Sequence, residues 1–199
     1  DGWDNIRSSE LYGVEAWGNG YFHITEDGFA AVKLQNQQGP VSVKFHDIVR
    51  GLYQRGFSLP VLLRFSDLLA ARIRAINEAF AKAIADSGYA GSYRGVYPIK
   101  VNQQHQTVAD VVRLGAPFHH GLEAGSKAEL IAALGYLHDP AAYIICNGYK
   151  DAEFIDLALF SLKMGLQTIL VLEMPGELDL LLERAAKQNI RPRIGIRVK

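Results

Sequence analysis

The 199-residue chain is 49% hydrophobic and 21% charged, an ordinary balance for a globular protein able to bury a sizeable core. Its 21 basic and 21 acidic side chains cancel, which excludes bulk attraction to nucleic acid or to an anionic membrane. One cysteine, Cys146, cannot form an internal disulfide and points to a reducing cytoplasm.

The longest apolar runs fall far short of the roughly 20 residues a membrane span needs. The first ten residues are too polar for a signal peptide. The sequence starts at Asp1 rather than methionine and stops at Lys199 inside a strand-like run. It is therefore expected to be a piece of a longer protein.

Residues 1–40 read as an amino-terminal β segment, part of a β-domain. Residues 11–17 and 21–24 are aromatic and β-branched, Glu26-Asp27-Gly28 is a hairpin signal, and residues 29–34 form the return strand. Residues 35–40 are polar, end in Gly-Pro and read as a connector. From residue 41 to 199 the texture is that of alternating strands and helices. Phe45, Ile48, Val49 and Leu52 make one apolar helix face, with Ser42 as cap and Gly56 as stop. Residues 60–65 predict a first strand, and Ser66-Asp67 opens a long helix carrying Leu69, Ile73, Ile76 and Phe80 up to Gly88.

Further strands are predicted at 93–100, 119–123, 143–146, 168–172 and 193–198. The helices between them are predicted at 107–114, from Ser126 to Gly135, at 151–164 and at 177–188. Six apolar strands separated by helices argue for an α/β fold with a parallel sheet, buried on both faces. No Gly-rich turn follows the first strand, as a dinucleotide-binding sheet would show. The preferred architecture is a (β/α)8 TIM-type barrel, incomplete at about six strands.

A barrel gathers its chemistry at the carboxyl ends of its strands. Those ends carry Arg64 and Ser66, Lys100 and Asn102, Glu123 and Ser126, Asn147 and Tyr149, Glu173, and Arg197 and Lys199. Lys100 is the sharpest, because it closes the apolar run Gly95-Val96-Tyr97-Pro98-Ile99. Burial there would favour the uncharged amine that forms a Schiff base. Taken alone, the residue reads more readily as a solvated lysine at a barrel rim.

The surrounding motifs decide between them. Gly95-Val96-Tyr97-Pro98-Ile99-Lys100-Val101-Asn102-Gln103-Gln104 resembles the lysine segment of the biosynthetic arginine decarboxylase family. These are pyridoxal phosphate enzymes with an alanine-racemase-like barrel. The resemblance continues through Leu62-Leu63-Arg64-Phe65-Ser66-Asp67, Gly121-Leu122-Glu123-Ala124-Gly125-Ser126-Lys127-Ala128-Glu129-Leu130, Ile145-Cys146-Asn147-Gly148-Tyr149-Lys150-Asp151 and Ile194-Gly195-Ile196-Arg197-Val198-Lys199. Tyr12-Gly13-Val14-Glu15-Ala16-Trp17-Gly18 and Gly20-Tyr21-Phe22 fit as well, so it spans essentially the whole chain.

The resemblance implies pyridoxal phosphate bound to Lys100 and decarboxylation of L-arginine to agmatine, a step of polyamine synthesis. It implies that Glu123 lies beside the lysine and that Arg197 lies near the cofactor. The residues alone leave Glu123 open between this role and a helix-entry acid near Ser126, and Arg197 between it and a structural ion pair. Asn147 and Glu173 are weaker candidates. The family also implies a cytoplasmic homo-oligomer whose active sites are shared between subunits, and an association with magnesium. No metal-ligand spacing in the chain locates that ion. The phosphate cradle, the acid facing the pyridine nitrogen and the substrate-reading residues are expected past Lys199.

Ornithine or diaminopimelate decarboxylases of the same fold, a non-catalytic homologue that regulates, and a barrel without cofactor are the rivals. Cys146 reads as a core residue, Ser66 and Ser126 as helix caps, and His119-His120 as the start of a strand away from the site.

Overall fold

The computed structural model describes residues 2–36 and 39–198, and the chain divides into two compact units, Asp1–Leu68 and Leu69–Lys199. In the first, helices α1 (Asn5–Leu11) and α2 (Val14–Gly18) precede a three-stranded antiparallel sheet, β1 (Phe22–Ile24), β2 (Ala30–Asn36) and β3 (Gly39–Lys44), and then helix α3 (Phe45–Gln54). Residues 11–17, expected as a strand, are thus the end of α1, a two-residue turn and most of α2. Asp4 caps α1 by accepting the Arg7 amide at 2.8 Å, and the Trp17 indole donates to the Tyr12 carbonyl at 3.0 Å. Such local bonds outweigh aromatic strand propensity, which depends on cross-strand packing.

The hairpin at Glu26-Asp27-Gly28 forms as expected, pairing Ile24 with Ala30. Of the connector predicted at 35–40, residues 35–36 instead end β2 and residues 39–40 begin β3, with Asn36 paired to Gly39; Gln37 and Gln38 lie outside the described residues. Ser42 sits in β3 and hydrogen-bonds His23 Nε2 at 3.1 Å, so Lys44, not Ser42, precedes α3. Trp17, Phe22, Phe45 and Phe65 form a chain of rings 5.3, 5.9 and 6.0 Å apart.

Residues 60–65 are not a strand. A strand needs a hydrogen-bonded neighbour, and these residues pair with none among the described residues. Helix α4 (Ser66–Ser87) follows and runs across the division between the units.

The second unit is a five-stranded parallel sheet with helical crossovers. Its elements are β4 (Val96–Pro98), α5 (His105–Gly115), β5 (Gly121–Ala124), α6 (Lys127–Tyr136), β6 (Tyr143–Cys146), α7 (Ala152–Lys163), β7 (Gln167–Leu172), α8 (Gly176–Gln188) and β8 (Ile194–Ile196). Strand order is β4-β5-β6-β7-β8, every pair parallel. A doubly wound sheet reverses its order at a switch point. None occurs here, so the winding is that of a (β/α) barrel, incomplete at five strands rather than six.

Alternation within these strands sets the core. Leu122, Ala124, Ile144, Cys146 and Leu170 are fully buried, and they belong to one cluster with Leu130, Ala133, Phe154, Ile155, Ala158, Leu159 and Leu181 of the helices. Ile145, Ile169 and Val171, which alternate with them, are only partly buried. The expectation of strands buried on both faces therefore holds for one face. A barrel fills its other face with side chains of strands across the axis, and five strands do not close that ring.

Cys146 lies in this core with no exposure, and burial pushes its thiol up to about 12. Alkylation requires the thiolate, which attacks the reagent's carbon and displaces iodide. Cys146 is thus expected to stay unlabelled by iodoacetamide at pH 8 in the folded protein and to label fully in urea. Labelling at equal rates in both would refute its burial.

Candidate functional site

Pro98 has no amide hydrogen, so the ladder of β4 stops there, paired with Glu123. A single 3-10 turn, Ile99–Val101, follows. Lys100 therefore sits on a turn above the strand end rather than closing the strand. The turn is pinned from both sides. Ile99 is buried, and the Tyr97 hydroxyl donates to the Asn102 carbonyl at 3.2 Å. Burial pushes the Tyr97 phenol up, so it stays a donor.

Lys100 Nζ lies 3.2 Å from Glu123 Oε1. The lysine side chain is 62% exposed and the glutamate 16%. The turn thus lifts the amine off the apolar run and into an open cleft. The carboxylate beside it is the better shielded of the two.

That cleft has a volume of about 330 Å³ and is lined by Lys100, Glu123, Gly125, Glu129, Asn147, Gly148, Tyr149, Glu173 and Arg197. All but Glu129, in the first turn of α6, come from the carboxyl ends of β4 to β8 or the loops and turn beyond them. Strand ends distant in sequence meet here because neighbouring parallel strands finish on the same side. Lys100, Glu123, Asn147, Glu173 and Arg197 of the sequence reading are brought together. Arg64 and Ser66 belong to the first compact unit, and Lys199 lies outside the described residues.

Arg197 Nε lies 3.4 Å from Glu173 Oε1, so the arginine is both part of an ion pair and part of the cleft wall. The same Glu173 oxygen accepts the Gly148 amide at 3.1 Å. Gly148 has φ +75°, and a Cβ there would stand 2.5 Å from the Gly125 carbonyl oxygen. Only glycine lets the loops after β5 and β6 approach so closely.

Ser126 caps α6 by accepting the Glu129 amide at 3.2 Å, and Glu129 Oε2 reaches back to the Gly125 amide at 2.6 Å. This variant of a capping box holds the loop after Glu123 in place. His119 and His120 stand before β5 rather than in it. His119 Nδ1 is paired with Asp139 at 2.7 Å, and burial pushes the His120 imidazole down. Among the described residues, no group of three or more His, Cys, Asp or Glu could hold a metal ion. Nor is any of their helices long and apolar enough to cross a membrane.

The sequence alone assigns no role to Gly125 and Gly148 of the cleft, or to the buried pair of Lys150 and Glu177 behind its wall. Lys150 leaves a trace in the sequence. A lysine next to the start of a helix opposes the helix dipole unless another group takes its charge.

A wall of parallel strand ends bearing an accessible lysine against a carboxylate defines a lysine-bearing barrel site. Its size falls in the range of small-ligand sites, and an exposed amine suits an aldehyde cofactor. A family model described as the pyridoxal-binding domain of pyridoxal-dependent decarboxylases matches residues 70–199. The chain belongs to this family of pyridoxal-dependent decarboxylases.

Among curated relatives, a biosynthetic arginine decarboxylase of Gloeobacter violaceus is 47% identical over 197 residues, covering 99% of this chain and 30% of the relative. One of Nostoc is 44% identical, covering 99% and 29%. Among solved structures, a biosynthetic arginine decarboxylase from Campylobacter jejuni superposes with a TM-score of 0.83 at 37% identity, covering 93% of this chain and 30% of that one. A diaminopimelate decarboxylase from M. jannaschi reaches 0.66 at 18% identity, covering 92% and 36%, a likeness of fold alone. The chain thus spans about 30% of the length of these curated relatives.

Proposed function

We propose that the full-length protein uses pyridoxal phosphate, held in the Lys100 cleft, to decarboxylate L-arginine to agmatine and carbon dioxide. The observation that carries this reading is 40–47% identity, over 99–100% of the chain, to eight proteins named biosynthetic arginine decarboxylase.

When bound, the cofactor supplies the electron sink for the carbanion left by the departing carboxylate. The protein's share follows from its own residues. Lys100 presents the amine that takes the cofactor aldehyde. Glu123, 3.2 Å away, holds or accepts the proton at Lys100 Nζ as that amine is engaged and released. Arg197, oriented by Glu173, brings a fixed cation to the far side of the same cleft. Residues 1–40 are read as the start of a β-domain and 41–199 as the first part of the barrel. We extend the reading to a cytoplasmic homo-oligomer whose sites draw on two subunits.

Full-length protein supplied with pyridoxal phosphate is expected to release agmatine from L-arginine. Turnover of ornithine or diaminopimelate, with arginine untouched, would overturn the substrate. No turnover of any of the three by cofactor-loaded protein would favour a regulatory homologue. The 199-residue chain alone is expected to make no agmatine, because the phosphate cradle and ring-facing acid are assigned to later strands. Measurable agmatine from it would refute that assignment.

A further inference from the structure

Behind the cleft wall, the Lys150 side chain has no exposure at all and the Glu177 side chain only 8%. Burying an ammonium and a carboxylate is costly unless each is paired and hydrogen-bonded. Here both conditions are met. Lys150 Nζ donates to the Gly148 carbonyl at 2.6 Å and to the Val171 carbonyl, and it lies 3.6 Å from Glu177 Oε2. The Lys150 amide donates to Glu177 Oε1 at 3.0 Å, and the Glu173 amide to Glu177 Oε2 at 2.8 Å. Burial pushes the Lys150 amine down, while Glu177 and Glu173 oppose the shift.

The placement of these bonds matters more than the charge. The backbone groups they engage, the Gly148 and Val171 carbonyls and the Lys150 and Glu173 amides, all lie on the loop after β6 or at the end of β7 and just beyond it. Those two segments bear Gly148 and Glu173, and Glu173 in turn receives the Gly148 amide and faces Arg197. A buried ion pair is weak as a stability device, since apolar residues of similar volume often do as well. It is better suited to fixing one arrangement among several.

We propose that Lys150 and Glu177 are a positioning pair, which locks these two loops together so that the Glu173 carboxylate stays aimed at Arg197 and the Gly148 amide. Neither side chain touches the reacting centre. Only the consequence for cofactor binding rests on the function proposed above.

The Gly148 amide reports on the pair directly, because its bond goes to Glu173 and to neither member of it. Amide exchange in the cofactor-free full-length protein is to be read residue by residue by mass spectrometry. Glu177→Gln keeps the size of the side chain but leaves it one carbonyl oxygen, so one of its two amide donors loses its acceptor. Lys150→Met/Glu177→Leu removes the charges together and keeps the volume but leaves the Lys150 and Glu173 amides without their acceptor, so its folding is checked by urea unfolding. Both variants are expected to speed Gly148 exchange by about 10-fold, the scale of one net hydrogen bond, with the Ile144 and Leu170 amides unchanged. Pyridoxal phosphate should then bind about 10-fold more weakly by absorbance titration, with the borohydride adduct still on Lys100.

Gly148 exchange within 2-fold of the parent in the folded double variant would overturn the proposal and leave the pair as core filler. If the parent takes no pyridoxyl adduct on Lys100, the cofactor reading fails, while Gly148 exchange still decides the positioning pair.

Discussion

Borohydride reduction of the full-length protein with pyridoxal phosphate is expected to fix one pyridoxyl group, and mass mapping to find it on Lys100. Lys100→Ala should abolish the adduct and lower agmatine formation by roughly 10³-fold or more, since removal of a covalent anchor removes the step it enables. The geometry favours this lysine over the others near the cleft. Lys150 has its amine sealed behind the wall, donating to two carbonyls. Lys127 is held between Asp151 and Glu153 at 2.8 Å each, and these bonds raise its affinity for its proton. Lys100 is exposed in the cleft with a single carboxylate against it. Glu123→Gln keeps the shape of that partner and removes its proton-accepting charge. A loss of roughly 10²-fold in kcat with the adduct intact would mark proton handling. An adduct on another lysine, or full activity in Lys100→Ala, would sink the assignment.

Gly121→Ala is the substitution expected to damage the fold most. Gly121 opens β5, paired with Val96. A Cβ built there would stand 2.0 Å from the Tyr143 carbonyl oxygen and 2.9 Å from the Tyr143 amide nitrogen. These are backbone atoms of the neighbouring strand, so no rotamer change relieves the contact. The strands must part, or the ladder must shift. Either response disturbs the sheet beside Glu123 and Leu122 together. A destabilisation of about 3 kcal/mol, the upper end of ordinary overpacking, is expected in urea unfolding of the full-length protein. Gly135→Ala, at a helix position with nothing within 4 Å of the added carbon, is the matched control and should cost nothing or stabilise slightly. Equal midpoints for the two variants would refute the close approach.

Where a residue's role is local, its place was legible in the sequence. Tyr143 to Cys146 was bounded correctly because four apolar residues stand between turn signals. Asp151 and Ser126 announced the starts of α7 and α6 as side-chain caps, which is a three-residue interaction. Lys100, Glu123 and Arg197 were singled out because strand ends and family motifs coincide there, and they do share one cleft.

What escaped depends on long-range pairing. Residues 60–65 have every local mark of a strand, but a strand exists only by its neighbours. Residues 11–17 are aromatic enough for a strand, but Asp4 and the Tyr12 carbonyl close helical turns around them. The environment of Lys100 was misjudged because Pro98 stops the ladder two residues early and turns the amine outward. Lys150 and Glu177 stand 27 residues apart, and only the packing of β6 beside β7 reveals that one satisfies the other.

The order of strands in the parallel sheet bears on how the protein is made. Each strand from β5 to β8 lies beside the one translated just before it. A nascent chain can therefore add one strand–helix unit at a time to a platform already outside the ribosome, with no loop closure longer than a single crossover. The same growth rule builds the cleft progressively. Lys100 emerges first, Glu123 reaches it when β5 docks, and Glu173 and Arg197 follow with β7 and β8. Vectorial synthesis thus delivers the Lys100 amine before the carboxylates and the arginine that line the cleft with it.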